Sequence, residues 1–227
     1  MTDYPPLEVK VWSEFACFTR PEMKVERVSY DVMTPTAARG ILEAIHWKPA
    51  LRWEIDRIHV LKPIKFQSFR RNEVGAKANA TAAERALRKG TTEGLGLVVE
   101  DNRQQRATTL LVDVAYVIEA HFDLTAKAAS DDTPAKHISM FNRRAETGQC
   151  FHRPCLGTRE FVADFALLPV GAPLPESTLP EDQRSRDLGW MLYDIDFADN
   201  ATSHFFCARL NDGVLDIARC LKDGTAA

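Results

Sequence analysis

The 227 residues contain no apolar run long enough to cross a bilayer. Stretches such as Leu110–Val112 and Phe165–Leu168 span a few residues, where a membrane helix needs about twenty. No membrane partner is expected. The first residues, Met1-Thr2-Asp3-Tyr4-Pro5-Pro6, carry neither a basic start nor an apolar stretch, so no secretory signal is visible and a cytoplasmic location is expected. Cysteine is sparse and odd in number. Cys17, Cys150, Cys155, Cys207 and Cys220 are scattered, which suits free thiols in a reducing compartment better than a disulfide framework. Cys150, His152 and Cys155 lie close together, but there is no C-x2-C pair and no second ligand cluster at finger-like spacing, so no metal site is expected. The P-loop, G-x-S-x-G and H-E-x-x-H patterns are all missing, as is a paired acidic run able to hold two magnesium ions. No cofactor is expected.

What is present describes an ordinary globular chain, with 45% apolar and 27% charged residues. The formal net charge of −3 hides an uneven distribution. Lys62–Arg106 holds ten Lys/Arg against five acids, and Lys136–Glu160 holds five against two. Gly171–Asn200 reverses the balance, with seven acids against two arginines. Such asymmetry fits a phosphate-binding face, although solvated charge would give the same counts.

Leu7–Phe15 alternates apolar and polar residues and predicts a strand. Thr34-Pro35 reads as an N-cap and first-turn pair, opening a helix whose stripe is Ala37, Ala38, Ile41, Leu42 and Ile45 and which stops before Pro49. Leu51–Phe69 predicts a long strand, bent or bulged at Pro63. Residues 72–106 have weak periodicity and read as an insertion or mobile loop with a short helix around Ala82–Leu87. Thr108–Leu124 is strongly β-prone. Thr133-Pro134 opens a second helix through Ile138, Phe141 and Ala145, closed by Gly148, and Glu160–Leu168 is a further strand. The order β-α-β-β-α-β is that of ferredoxin-like and RNA-recognition (RRM-like) domains. After the Pro-rich stretch from Pro169, a strand at Gly189–Phe197 and a hairpin turning at Asn211-Asp212-Gly213, between Phe205–Leu210 and Val214–Ala218, predict a small antiparallel β domain. The expected fold class is α+β. Residues 1–168 are expected to form a ferredoxin-like RNA-binding and catalytic domain, and residues 169–227 a small β-sheet domain.

A nuclease built without visible metal ligands would use the ribose 2′-hydroxyl as nucleophile, which makes RNA its substrate. Lys136 and His137 fall in the first turn of the second helix, where unpaired N–H groups and the positive dipole end favour an anion. A lysine there can neutralise phosphate and a histidine can move a proton near neutral pH. Arg143, seven residues after Lys136, can share its face, and Arg144 extends the basic surface. A solvated helix with a chance Lys-His pair would look the same. His46 lies in the last turn of the first helix, where the negative dipole end favours a protonated imidazole; Lys48 stands two residues on. His59 and His121 fall inside strand patterns and read as structural.

Three ordered motifs carry a family resemblance: Thr34-x-x-Ala37-x-x-Gly40-Ile41-x-x-x-Ile45-x-Trp47-Lys48-Pro49; Lys136-His137 leading a basic helix; and Cys150-Phe151-x-x-Pro154-x-Leu156-Gly157-x-Arg159-Glu160-Phe161 running into Ala163-Asp164-Phe165. Together they resemble the CRISPR-associated Cas-five family of the Dvulg subtype (type I-C), over nearly the whole chain outside roughly residues 75–105. The resemblance implies a metal-independent endoribonuclease that cuts CRISPR repeat RNA at the base of its hairpin and then holds the mature guide. Its partners would be the backbone and large subunits of the type I-C interference complex. It also implies a catalytic set of His46, Lys136 and His137, with His46 at the position of the family's usual tyrosine. His46 would take or orient the 2′ proton, Lys136 would stabilise the phosphate charge and His137 would protonate the leaving oxygen, the last two roles being exchangeable. Arg143, Arg144 and Lys48 are the expected RNA contacts. A non-catalytic guide-RNA scaffold and a non-specific duplex-DNA binding module stay open as other readings.

Overall fold

In the computed structural model, residues 4–223 are described. The alternation of Leu7, Val9 and Val11 places one face of β1 (Leu7–Ala16) in the core, and a two-residue strand β2 (Arg27–Val28) follows. Helix α1 (Pro35–Ile45) begins where the sequence predicts, with the Thr34 hydroxyl accepting the Ala37 N–H at 3.3 Å. Strand β3 (Leu51–Val60) ends before Pro63, and β4 (Phe66–Val74) starts after it, so the single bent strand expected over Leu51–Phe69 is two. The irregularity lies earlier, between Ile55 and Arg57. One extra residue there lets the odd-numbered pair Trp53 and Ile55 and the even-numbered pair Ile58 and Val60 face the same side.

Helix α2 (Ala80–Lys89) and a short 3-10 turn (Glu100–Asn102) precede β5 (Arg103–Leu124), which begins five residues before its expected start. Then come α3 (Pro134–Glu146), β6 (Asp164–Leu167), the single turn α4 (Glu181–Arg184), β7 (Arg186–Asp196), β8 (Thr202–Asn211), β9 (Val214–Asp216) and α5 (Ile217–Asp223). The last helix replaces the second half of the expected hairpin strand. Asp216 accepts the Arg219 N–H at 2.9 Å, a cap that starts a helix from residues whose apolar run reads as β.

The main sheet runs β6-β1-β5-β3-β9-β8-β7, antiparallel at each of these junctions. Strands β7 to β9 therefore extend the same sheet past β3, because Ile58 pairs with Leu215. Ala38, Ile41, Leu42 and Ile45 of α1 and Phe141 and Ala145 of α3 pack on one face, over Val9, Trp53, Ile118 and Phe122. Trp53 meets Phe122 edge-on at 5.2 Å and Phe141 at 5.0 Å between ring centres, locking α3 against the sheet. Burial of these side chains is what fixes the two helix ends that follow. Among the described residues no helix is long and apolar enough to cross a membrane.

Residues 68–108 form a separate compact unit. Within it the Gly75 N–H reaches the Asn102 carbonyl at 2.8 Å. Helix α2 is capped by Asn79, whose side-chain oxygen accepts from the Ala82 N–H, and ends at Gly90 in the left-handed region. None of its residues is buried.

Candidate active site

The C-terminal carbonyls of α1, left without helical partners, are satisfied from three other parts of the fold. Ala44 accepts the Phe151 N–H at 2.8 Å, Ile45 accepts Arg144 Nη1 at 3.1 Å, and His46 accepts Trp53 Nε1 at 2.9 Å. His46 itself leaves the helix in an extended conformation, which swings its ring toward α3. The Thr133 hydroxyl accepts the Lys136 N–H at 3.3 Å and starts α3, so His137 sits one turn into the helix, facing inward.

The two rings meet. His46 Nε2 lies 3.1 Å from His137 Nδ1, with ring centres 5.4 Å apart. On the far side, His46 Nδ1 receives Arg144 Nη1 at 3.1 Å, and His137 Nε2 lies 3.1 Å from Asp132 Oδ1. Arginine only donates, so His46 Nδ1 must carry a lone pair. A neutral His46 then has its proton on Nε2 and gives it to His137 Nδ1. His137 in turn carries its proton on Nε2 and gives it to Asp132. The result is a one-directional chain, Arg144 to His46 to His137 to Asp132. His46 is held neutral by its surroundings: burial foremost, then the charge of the adjoining Arg144, lower its pKa to about 4 from an ordinary 6.5. The dipole end that would favour protonation is outweighed.

Lys136 stands beside this chain with a side chain 39% exposed, its ammonium 2.8 Å from Asp131 Oδ2 and 3.3 Å from Asp132 Oδ1. The bond to Asp131 raises the lysine pKa and lowers that of the aspartate. Asp132 is held below the usual carboxylate range, first by the Ala129 N–H and then by Lys136. These two aspartates were not singled out from the sequence. The signal was there: acids four and five residues ahead of a helical Lys-His pair, at a turn that brings them back over it.

Two expectations change in place. His46 is 0% and His137 1% exposed, so the ring expected to meet a 2′-hydroxyl lies behind its neighbour with both nitrogens engaged. Arg144, expected on an RNA-facing surface, turns inward because the Ile45 carbonyl and the His46 ring are the nearer acceptors. Arg143 and Lys48 do stand exposed, while His59 and His121 pair with Glu119 and Asp56 on the sheet. Among the described residues no group of three or more His, Cys, Asp or Glu is placed to hold a metal ion.

The Cys150–Phe161 segment seats itself against the end of β1. Cys17 N–H donates to the Leu156 carbonyl at 3.0 Å. Gly157, at φ +87°, passes so close that a Cβ would lie 1.9 Å from the Cys17 carbonyl oxygen, so only glycine fits. This anchoring presents Phe151 beside α1.

Comparison with known proteins places the chain. The family model described as CRISPR-associated protein (Cas_Cas5), in its Cas5d form, matches residues 6–216. A CRISPR pre-crRNA endoribonuclease Cas5d of Mannheimia succiniciproducens is 59% identical, covering 93% of this chain and 94% of that protein. The protein of the same description from Thermus thermophilus is 40% identical, covering 93% and 90%. The crystal structure of a CRISPR-associated protein superposes with a TM-score of 0.66 at 22% identity, covering 98% of this chain and 96% of that one. A chain of a CRISPR RNA-guided surveillance complex gives 0.52 at 13%, covering 92% and 87%. At those identities the two structures share the fold alone. Fold and sequence together define a CRISPR-associated protein of mixed α and β structure. The chain belongs to the Cas5d family.

Proposed function

We propose that this chain is the endoribonuclease that cuts CRISPR precursor RNA at its repeat hairpin. Two relatives at 59% and 40% identity bear the name pre-crRNA endoribonuclease, which supports the activity. The observation that carries the site is the chain Arg144–His46–His137–Asp132 with Lys136 at its open end. The 2′-hydroxyl attacks the adjacent phosphorus and gives its proton to water, the bond from phosphorus to the 5′ oxygen breaks, and a proton from water replaces the one that His137 gives to the leaving oxygen. The products are a 2′,3′-cyclic phosphate and a 5′-hydroxyl. Lys136 leaves Asp131 for the non-bridging phosphate oxygens, where charge builds in the transition state. His137 exchanges Asp132 for the leaving oxygen and donates from Nε2. His46 acts through His137 as a positioning residue, holding the tautomer that puts a proton on that nitrogen. Arg143 and Lys48 contact the RNA backbone.

The strand order β6-β1-β5-β3 with α1 and α3 on one face supports a ferredoxin-like N-terminal domain up to residue 168, with the β7–β9 region as the C-terminal domain. The same reading makes the chain a cytoplasmic subunit of an interference complex beside its backbone and large subunits. The burial of both histidines favours one second reading, a non-catalytic guide-RNA scaffold. Incubating labelled repeat RNA with the protein in EDTA, followed by end-group analysis, separates the two. Cyclic phosphate ends support the enzyme; intact RNA supports the scaffold.

A further inference from the structure

The Lys136 ammonium and the outer nitrogen of His137 converge on one carboxylate oxygen. Asp132 Oδ1 lies 3.1 Å from His137 Nε2 and 3.3 Å from Lys136 Nζ. Its second oxygen accepts the Ala129 N–H at 3.0 Å, which fixes the plane of the carboxylate. Thr133, the cap of α3, follows directly, so Asp132 is fastened between a turn and a helix start. Its side chain is 19% exposed, partly sheltered but not sealed. The neighbouring Asp131 differs. Its carboxylate is 77% exposed and holds the lysine, and among the described residues it is not bonded to His137. The inner alternative is closed, because His46 is fully buried with both ring nitrogens engaged.

A ribose hydroxyl ionises far above neutral pH, so its attack on phosphorus gains from a base stronger than water, reached directly or through one water. We propose that Asp132 is that base: its Oδ1 holds the water that takes the 2′ proton, receives the proton from it and returns it to His137. The proposal rests on the endoribonuclease reading and supplies the proton path that the reading leaves to solvent. An entering phosphate draws Lys136 and the His137 proton to itself, so Oδ1 loses both of its donors. That loss, beside a newly arrived anion, raises its affinity for a proton at the moment of attack. The atoms balance within the site. The bond from the 2′ oxygen to phosphorus forms as the bond from phosphorus to the 5′ oxygen breaks. The 2′ proton passes through water to Asp132, and His137 Nε2 gives its own proton to the 5′ oxygen. Asp132 then refills Nε2 across the 3.1 Å contact, and both side chains end as they began.

The test uses the whole protein, the repeat hairpin, and the same hairpin with sulfur in place of the leaving 5′ oxygen. A thiolate leaves without a proton, so the sulfur substrate relieves the acid while the base is still needed. Asp132→Asn keeps the shape and can still accept from His137, but it cannot take a proton. It should cut the oxygen substrate roughly 100-fold more slowly than the parent and show the same deficit on sulfur. His137→Ala should recover on sulfur to near the parental rate, and Asp132→Glu should regain part of what Asp132→Asn loses. Asp132→Asn should bind a hairpin blocked by a 2′-deoxy nucleotide as the parent does. A parental rate in Asp132→Asn overturns the proposal. So does its recovery on sulfur, which would leave Asp132 only a positioning residue for His137. Failure of His137→Ala to recover overturns it as well, because the relay ends on that histidine. A parental protein that cuts neither RNA sinks the endoribonuclease reading instead, a result that no Asp132 variant can produce.

Discussion

His46 Nε2 sits 3.1 Å from His137 Nδ1, joining two helix ends 91 residues apart through a single proton. Because Arg144 donates to the other nitrogen of His46, that proton has one direction in which it can point. The orientation of His137, and hence the proton it offers at Asp132, is set from two residues away.

Lys136→Ala and His137→Ala should each slow cleavage by roughly 100-fold or more, the usual scale for one electrostatic or acid–base group. Affinity for uncleavable repeat RNA should change far less. Single-turnover rates beside binding isotherms measure both, and a parental rate in Lys136→Ala would remove the lysine from the phosphate.

His46→Tyr should keep most of the activity and His46→Phe should lose it. A tyrosine hydroxyl can accept from Arg144 and donate to His137 Nδ1 with the same polarity as the imidazole, while phenylalanine fills the space and breaks the chain. Equal rates for the two variants would make the position one of packing only. Should His46 instead take the substrate proton itself, the acidic limb of the rate profile would lie near pH 4 rather than between 6 and 7, and His46→Tyr would move it.

Stability should fall in acid partly through His46. Its pKa is about 4 folded against 6.5 ordinarily, so the unfolded chain binds the extra proton more readily. The contribution is complete above pH 6.5 and is lost as pH drops toward 4. Urea unfolding at pH 7 and pH 5 should show a smaller decline for His46→Tyr than for the parent. The same decline in both would mean that carboxylates alone carry the acid sensitivity.

Neighbouring arginines should behave differently. Arg143→Ala should weaken RNA binding and reduce the salt slope by about 0.7–0.9 per lost phosphate contact. Arg144→Ala should leave the slope in place and lower the cleavage rate, since it frees His46 to change tautomer. A reduced slope in Arg144→Ala would place that side chain on RNA after all.

Local chemistry was legible in the sequence where it acts locally. Thr34-Pro35 and Thr133-Pro134 marked both helix starts to the residue, and Asn211-Asp212-Gly213 marked the turn between β8 and β9. The Lys136-His137 pair and His46 were legible as candidates because helix ends impose a known field. The burial of the two histidines was not, since it depends on Phe122, Phe141 and Trp53 arriving from distant strands and helices. Arg143 and Arg144 look alike in sequence; only the position of the α1 carboxyl end decides which one turns inward. Ile217 and Ala218 end a β-prone run in the sequence, and the capping aspartate Asp216 draws them into α5 instead.

Helix α2 holds ten residues between Asn79 and Gly90 and hides none of them. A surface that answers only to its own caps is where an experimenter can splice an epitope or a dye without disturbing the hydrophobic interior. Past it, Gly94 and Gly96 have open space where a side chain would go. Lineages are free to lengthen, shorten or recolour this stretch, so ancestry should fade here first while the Lys136-His137 pair still spells kinship.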